Sequence, residues 1–248
     1  PGPLTMILPK SERVPREVTA GLDTVGIRMP SHPGAAAVIR ACGLPLAAPS
    51  ANTSGRPSPT RAKHVLCDMD GKIPLVLDGG SCEVGVESTV VLVRSDSVHL
   101  LRPGGVSLEQ LEGLDIPVTV DPAVEAGLRQ GTAALSPGLK YKHYAPRAEV
   151  ILVKGPFDKF AEYVNNKAES GAFALAFEGE ESALRLPCIV YGGRETPETQ
   201  AAGLFDALRK LDEKDAKTVY ARCPERKGVG RAVYNRLLRA AAFRVVEL

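Results

Sequence analysis

Short apolar runs follow one another closely through the first half of the chain. They cover Leu4–Leu8, Thr24–Met29, Leu44–Ala48, Pro74–Leu77, Thr89–Val93 and Val98–Leu101. Runs of this length, bounded by glycine and proline turns, predict β-strands. Only four residues separate the last two runs. No helix can connect them, so we expect those two strands to pair antiparallel.

Two helices are predicted between these strands. The first follows Ser31, contains the stretch AAAVIRAC and ends at Gly43, a residue suited to the left-handed position after a helix. The second is expected to begin with Ser58 as N-cap and Pro59 as its first residue, and to run through Cys67. These elements predict an α/β domain over residues 1–126 with a mixed, largely antiparallel twisted sheet.

Beyond residue 148 the pattern changes to a regular alternation of strands and helices. Strand patterns occupy residues 149–155, 172–179, 188–193 and 217–222, and helix patterns occupy 157–169, 198–214 and 230–243. Such alternation predicts a small doubly wound, Rossmann-like α/β domain over residues 149–248 with a mainly parallel sheet. Residues 127–148 have no sustained period, and we interpret them as an extended, semi-ordered linker between two domains.

The composition excludes several classes of protein. Of the 248 residues, 44% are apolar and 24% are charged, a balance typical of globular domains. No apolar run approaches the roughly 18 residues of a membrane span, and the first residues lack the layout of a signal peptide. Five scattered cysteines without a CxxC pair argue against a disulfide framework and a thiolate zinc site. We therefore expect reduced thiols in a cytoplasmic protein without membrane contact.

Charge is distributed unevenly, although the net charge is only +2. Residues 1–126 carry eleven basic and fourteen acidic side chains, whereas residues 127–148 carry four basic side chains and no acidic one. A general nucleic-acid-binding protein would show a broad basic face. A short basic segment is better suited to covering a small polyanion.

The stretch LPLAAPSANTSGRPSPT, from Leu44 to Thr60, carries the most informative chemistry. An apolar run leads into a loop that holds several hydroxyls and one amide and is stiffened by prolines. With Ser58 as a helix cap, the loop would end at exposed N–H groups and the positive end of a helix dipole. Ser50, Asn52 and Ser58 would then suit a triphosphate or a magnesium-bound phosphate. Ordinary turn formation and helix capping explain the same residues equally well.

Other candidate residues carry weaker signals. Arg28 lies in an apolar run that ends in proline, where an arginine binds a carboxylate or phosphate or pairs with an acidic side chain of the protein. Arg102 precedes a glycine turn and suits either a phosphate contact or a surface role. The sequence has no GxSxG motif, and its four histidines are dispersed. We therefore predict neither a covalent catalytic residue nor a metal site built from histidines.

Six motifs occur in the order in which the threonylcarbamoyl-AMP synthase family has them. They are PGPLT, TVGIRMPSHP, PSANTSGRPSPT, ESTVV, LRPGG and SPGLKYKHYAP. The chain therefore resembles the two-domain form of that family from end to end, since the last motif belongs to the linker of that form. The resemblance implies a YrdC-like catalytic domain followed by a second α/β domain. It also implies a nucleotidyltransferase that makes threonylcarbamoyl-AMP and pyrophosphate from ATP, L-threonine and bicarbonate with Mg²⁺, for threonylcarbamoyladenosine modification of tRNA.

The same resemblance assigns ligand contacts. ATP contacts are implied for Thr24, Ser50, Asn52, Ser58, Arg102 and Tyr141, and threonine contacts for Arg28, Ala48 and Ser88. Arg28 would bind the carboxylate of threonine, and Tyr141 in the linker would close over the nucleotide. The implied partners are a transferase that moves the threonylcarbamoyl group to tRNA and, weakly, RNA itself.

The chain departs from the family pattern at its start. Family members carry a long N-terminal stretch before PGPLT, with a lysine and an arginine that complete the nucleotide site. This chain begins inside that motif. We therefore expect it to be inactive alone, with exposed sheet edges and apolar surface in its N-terminal domain.

Three other interpretations stay open. A YrdC-like module that binds RNA without catalysis would use the concave surface of that fold, although the acidic balance of residues 1–126 argues against it. The carbamoyltransferases of metal-centre maturation also contain such a domain, but with cysteine zinc motifs that this chain lacks. A purely structural α/β protein would not account for six ordered motifs.

Overall fold

Two five-stranded sheets organise residues 1–126, 144–167 and 169–248, the part of the chain described by a computed structural model. The first sheet has the order β2-β1-β3-β4-β5 and consists of β1 (Leu4–Pro9), β2 (Thr24–Ile27), β3 (Thr89–Val93), β4 (Val98–Arg102) and β5 (Val118–Val120). The pairs β1–β2 and β3–β4 are antiparallel, whereas β1–β3 and β4–β5 are parallel. The predicted mixed sheet is confirmed, as is the antiparallel pairing of β3 with β4.

Short helices connect these strands. They are α1 (Pro33–Cys42), α2 (Ala62–Met69), α3 (Leu108–Glu112) and α4 (Ala123–Ala126), with a 3-10 turn at Arg16–Thr19. Helix α1 ends as predicted, because Gly43 takes a φ of 64° in the left-handed region. At its other end, His32 is the N-cap and its Nδ1 accepts the N–H of Ala35 at 3.5 Å.

Three local predictions are wrong. The runs Leu44–Ala48 and Pro74–Leu77 form no strand, because they contain prolines that cannot donate to a ladder and most of their side chains are exposed to solvent. Ser58 does not cap α2, whose N-cap is Arg61 in an extended conformation. The N–H of Thr60, an amide that Ser58 as N-cap would accept, donates instead to Nδ1 of His64 at 3.1 Å.

The second sheet is entirely parallel. It has the order β10-β6-β9-β7-β8 and consists of β6 (Glu149–Lys154), β7 (Ala172–Ala176), β8 (Cys188–Val190), β9 (Thr218–Arg222) and β10 (Val245–Glu247). The connecting helices are α5 (Phe157–Asn165), α6 (Pro197–Glu213) and α7 (Gly230–Ala240). The strand and helix alternation predicted after residue 148 is confirmed.

Both faces of this sheet are covered by helices. Leu152 of β6 belongs to the same buried cluster as Leu208 of α6 and Leu237 of α7. Val153, the next residue, belongs to a separate cluster with Phe160 of α5. Successive side chains of a strand point to opposite faces, so α5 lies on one face and α6 and α7 on the other. This is the doubly wound arrangement that the sequence predicts.

Contacts divide the described residues into two units. Residues 1–49 and 87–126 form the first, and residues 50–86, 144–167 and 169–248 the second. This grouping differs from the predicted boundaries 1–126, 127–148 and 149–248, because residues 50–86 pack against α6. At Gly85, for example, a Cβ would lie only 2.3 Å from Ala201 O. Of the predicted linker, residues 144–148 belong to the second unit, where Tyr144 is 2% exposed, and residues 127–143 lie outside the described residues.

Residues 1–86 expose many apolar side chains. Helix α1 contains no buried residue. Met29, Leu44, Leu75 and Leu77 are all about seven-tenths exposed, between 68% and 71%. Despite this apolar surface, no helix within the described ranges is long and apolar enough to cross a membrane.

Candidate functional site

A buried polar cluster lies beside the pairing of β3 with β4 in the first unit. Ser88 Oγ lies 2.7 Å from Thr5 Oγ1. The guanidinium of Arg102 donates from Nε and Nη2 to Ser88 O at 3.2 and 2.9 Å, and from Nη2 to Ser88 Oγ at 3.3 Å. Ser88 and Arg102 are only 5% and 8% exposed. The structure therefore brings together a residue implied for threonine and one implied for ATP.

The turn after β4 passes directly against the backbone around Ser88. A Cβ at Gly104 would lie 2.3 Å from both Glu87 O and Thr89 N, which only glycine permits. Thr89 Oγ1 donates to Val106 O at 2.5 Å and accepts the N–H of Val106 at 2.9 Å. The motifs ESTVV and LRPGG thus form one tightly packed structure.

The other implied contacts in the first unit lie on β2 and in the segment after α1. Thr24 is the half-buried first residue of β2, and Arg28 is exposed just after that strand. Arg28 Nε donates to Gly2 O at 3.0 Å, and no described acidic side chain forms an ion pair with it. The alternative of a pairing with a protein acid is therefore wrong within the described ranges. Ala48 is exposed and outside regular secondary structure.

Asn52 organises the loop from Ser50 to Thr60 in the second unit. Its Nδ2 donates to Thr53 O at 2.9 Å and to Arg56 O at 3.1 Å. These two bonds fix the orientation of the amide, because only the nitrogen can donate. The opposite atom, Oδ1, is buried and has no hydrogen-bond partner among the described residues. It is an acceptor without a partner, as expected of a group that contacts a ligand.

The remaining implied ATP contacts differ in their surroundings. Ser50 is exposed, whereas Ser58 is only 8% exposed. Because α2 begins at Ala62, the helix N-terminus that we predicted beside Ser58 is absent there. Tyr141 lies outside the described residues.

Charged residues outside the six motifs hold this loop in place. Asp68, 4% exposed, accepts bonds from Thr53 N–H at 3.2 Å, Arg56 Nη1 at 3.1 Å and Arg209 Nη2 at 2.8 Å. Arg209 Nη2 also donates to Pro57 O at 2.7 Å. Burial alone would raise the pKa of Asp68, but the bonds from Arg209 and Thr53 and the nearby guanidinium charges hold it below its ordinary value. Asp68 is therefore ionised at neutral pH.

One oxygen of this loop is of the kind that could meet a magnesium ion arriving with a nucleotide. Within residues 1–126, 144–167 and 169–248, no group of three or more His, Cys, Asp or Glu side chains could hold a metal ion. Mg²⁺ in nucleotide sites is held mainly by phosphates and waters, with one or two oxygen ligands from the protein. Asn52 Oδ1, buried and without a partner, is suited to that role.

A second polar cluster joins α2 to α6. His64, 3% exposed, accepts the N–H of Thr60 at Nδ1, and its Nε2 lies 3.2 Å from Asp206 Oδ1. Because Nδ1 accepts, the ring is neutral with its proton on Nε2. Burial and then the charge of Arg209 lower the pKa of His64, and the charge of Asp206 opposes this only in part.

We expect the free energy of unfolding of the second unit to decrease as the pH falls below 6.5, the ordinary value for histidine. The lowered folded pKa of His64 means that the unfolded state binds more protons there, so stability is lost towards acid. Urea unfolding at several pH values measures this by tyrosine fluorescence, since all six tyrosines lie at or after residue 141. His64→Gln should lose less stability between about pH 6.5 and 5 than the unaltered chain. Equal losses would contradict the assignment.

Two family models match the chain in succession. The Sua5_yciO_yrdC model, described as telomere recombination, matches residues 1–104, and the model of the threonylcarbamoyl-AMP synthase C-terminal domain matches residues 106–242. The threonylcarbamoyl-AMP synthases of Pyrococcus abyssi and Bacillus subtilis are each 44% identical to the chain across all of it, and the match covers 73% and 72% of their own lengths. The chain belongs to the threonylcarbamoyl-AMP synthase family.

Solved structures of the family share the fold. The crystal structure of P. abyssi Sua5 complexed with L-threonine matches with a TM-score of 0.89 at 42% identity, over 100% of this chain and 73% of that one. A doubly substituted form of the same P. abyssi protein matches with a TM-score of 0.91 at 41% identity, over 100% of this chain and 72% of that one. The family, the α/β fold and the enzyme class predicted from the six motifs are therefore confirmed.

Proposed function

We propose that this chain contributes the residues described above to a site that binds ATP, L-threonine and bicarbonate and forms threonylcarbamoyl-AMP and pyrophosphate for threonylcarbamoyladenosine modification of tRNA. The observation that carries the proposal is the buried contact of Ser88 with Arg102, in a chain whose P. abyssi relative is described in complex with L-threonine. The product would pass to a transferase that acts on tRNA. We propose a cytoplasmic location, where that tRNA is found.

The reaction depends on positioning rather than on a protein nucleophile. The amine of threonine adds to bicarbonate with loss of water and gives a carbamate. A carbamate oxygen then attacks the α-phosphorus of ATP, and the bond to pyrophosphate breaks. Such a step is accelerated by holding the reactants in line and by stabilising the negative charge of the phosphates.

The residues would divide these tasks. The exposed guanidinium of Arg28 would bind the carboxylate of threonine with two parallel bonds, and the Ser88 hydroxyl would contact the same molecule. Arg102 holds Ser88 in place by donating to the carbonyl oxygen of Ser88. Its guanidinium would also supply positive charge beside the triphosphate. Ser50 and Asn52 would contact the nucleotide. Mg²⁺ supplies neutralisation of phosphate charge when bound with ATP.

The family resemblance alone supports four further contacts. They are Thr24, Ser58 and Tyr141 for ATP and Ala48 for threonine. Ala48 has only backbone groups to offer a polar ligand, and the exposed position of that segment keeps them accessible.

Titration calorimetry of Mg²⁺–ATP into this chain, with and without L-threonine, tests the proposal. We expect ATP to bind, and threonine to strengthen its binding. Asn52→Ala should weaken ATP binding about tenfold or more, because it removes an acceptor and the two bonds that shape the loop. Ser88→Ala should abolish the strengthening by threonine and leave the binding of ATP alone intact. Threonine-dependent release of pyrophosphate in the presence of bicarbonate is the matching activity.

Other outcomes of the same titrations would overturn the proposal. ATP binding that threonine never affects would contradict a synthase and indicate a nucleotide-binding domain of another kind. Absence of ATP binding, together with retention of tRNA by the chain on a filter, would favour an RNA-binding module without catalysis.

A further inference from the structure

Helix α6 of the second unit directly contacts the loop from Ser50 to Thr60. Arg209 of α6 donates from one terminal nitrogen to Pro57 O at 2.7 Å and to Asp68 Oδ2 at 2.8 Å. The side chains of Arg209 and Asp68 are 6% and 0% exposed. Asp68 in turn accepts the backbone N–H of Thr53 at 3.2 Å. The buried guanidinium of Arg209 thus holds the loop at the carbonyl of Pro57 and, through Asp68, at the amide of Thr53.

A second set of bonds connects the loop to the same helix. Arg56 of the loop donates from Nη2 to Asp212 Oδ2 of α6 at 3.3 Å. Asp212 Oδ1 also accepts the backbone N–H of Arg147 at 2.7 Å. The backbone of the loop is held as well, since Gly55 O accepts the N–H of Ala145 at 3.1 Å. The loop is therefore held from several directions by residues more than 80 positions later in the chain.

The loop depends on such bonds because it has no regular secondary structure of its own. Residues 50–60 contain no helix or strand, so no ladder of backbone bonds fixes their dihedral angles. Fixing the backbone of each of these residues in one conformation costs conformational entropy. Buried bonds to charged groups are among the strongest that can offset it. The bonds to α6 therefore contribute, with those of Asn52 and Asp68, to the conformation in which Asn52 Oδ1 is held.

We propose that Arg209 is a positioning residue of the nucleotide site, holding residues 50–60 in the conformation that receives ATP. This inference rests on the proposed function and extends it, because it gives the C-terminal α/β region a part in the site. Arg209 touches no reacting atom in this scheme. It acts through Pro57, Asp68 and Thr53.

Amide hydrogen exchange in residues 50–60 directly tests whether Arg209 holds the loop. We expect peptides covering residues 50–60 to exchange about tenfold faster or more in Arg209→Met than in the unaltered chain, since charged bonds to the loop are lost. Arg209→Lys keeps the charge but has a single donor nitrogen, so it should show a smaller increase. The strands β6 and β9 should keep their protection in both variants.

Arg222→Met is the matched control. Arg222 is an equally buried arginine of the second unit, paired with Glu180 and making no bond to the loop. We expect it to lower the stability of the unit without changing either exchange in residues 50–60 or the dissociation constant of Mg²⁺–ATP. In Arg209→Met the dissociation constant should rise about tenfold or more.

The outcomes separate this inference from the proposed function. If amide exchange in residues 50–60 is unchanged in both Arg209 variants, Arg209 does not hold the loop. If Arg222→Met speeds that exchange as much as Arg209→Met does, the cause is a general loss of stability. Faster loop exchange with unaltered ATP affinity would overturn the role in the nucleotide site. If the unaltered chain binds no ATP, the proposed function fails, while the exchange data still decide whether Arg209 holds the loop. Arg209→Lys supplies the same measurements if Arg209→Met does not fold.

Discussion

Replacement of Asp68 by alanine should destabilise the second unit by about 3–5 kcal/mol. The change removes the carboxylate that accepts bonds from Arg209, Arg56 and the N–H of Thr53. Arg209 would remain buried, only 5% exposed, and without its ionic partner. An unpaired buried charge is among the few single changes that exceed the usual range of mutational effects. Urea unfolding followed by tyrosine fluorescence measures the loss.

Two comparisons show whether the buried charge is the cause. Asp68→Ala combined with Arg209→Met should recover part of the lost stability, because the unpaired charge is gone. Asp215→Ala removes an acid from an exposed pair with Arg147, in which the Asp215 side chain is 76% exposed. That change should alter stability by only about 0–1 kcal/mol. Similar losses in Asp68→Ala and Asp215→Ala would contradict the structure.

Replacement of Gly104 by alanine should destabilise the first unit by about 3 kcal/mol. The added Cβ would lie within 2.4 Å of backbone atoms of Glu87, Ser88 and Thr89. These atoms lead into β3, whose pairing with β1 and β4 leaves them no direction in which to move. The turn would have to shift instead and would disturb the bonds between Arg102 and Ser88. Faster amide exchange in β3 and β4 is the expected signature.

Gly113 provides the control within the same unit. A Cβ there meets nothing closer than 3.6 Å, and its φ is −73°. Gly113→Ala should therefore leave exchange in β3 and β4 unchanged, since alanine adopts this backbone conformation without strain. If amide exchange in β3 and β4 is unchanged in Gly104→Ala as well, Gly104 does not lie as close to residues 87–89 as the structure shows.

The fold of residues 149–248 could be predicted well from the sequence because its elements have clear limits. The helix α6 is amphipathic over 17 residues, and β6 is a mainly apolar run that Gly155 follows directly. Residues 1–86 were harder, because apolar residues there do not all pack. Leu75 and Leu77 form part of a run that predicts a strand, yet they are 70% and 71% exposed. A local pattern indicates which residues tolerate burial, whereas the neighbouring elements decide whether burial occurs.

The candidate site was predictable only where its parts lie within short motifs. Ser88, Arg102 and Asn52 each belong to such a motif, and the structure gives each a specific set of bonds. Arg209 could not be selected, because it lies 141 positions after its partner Asp68 in a helix whose pattern only indicates burial. The predicted capping role of Ser58 was wrong for a related reason, since the side chain of His64, further along the chain, accepts the Thr60 amide that Ser58 would have capped.

The pairing of β1 with β3 has a consequence for the synthesis of the protein. It joins Leu4 to Thr89 in parallel, and residues 50–86 between them belong to the other unit. At about 5–20 residues per second, a ribosome takes roughly 4–17 s to make the chain between these partners. Until then the β1–β2 pair presents an open edge, and closing so long a segment is slow. The first unit thus exposes this strand edge while the following residues of the nascent chain are being made.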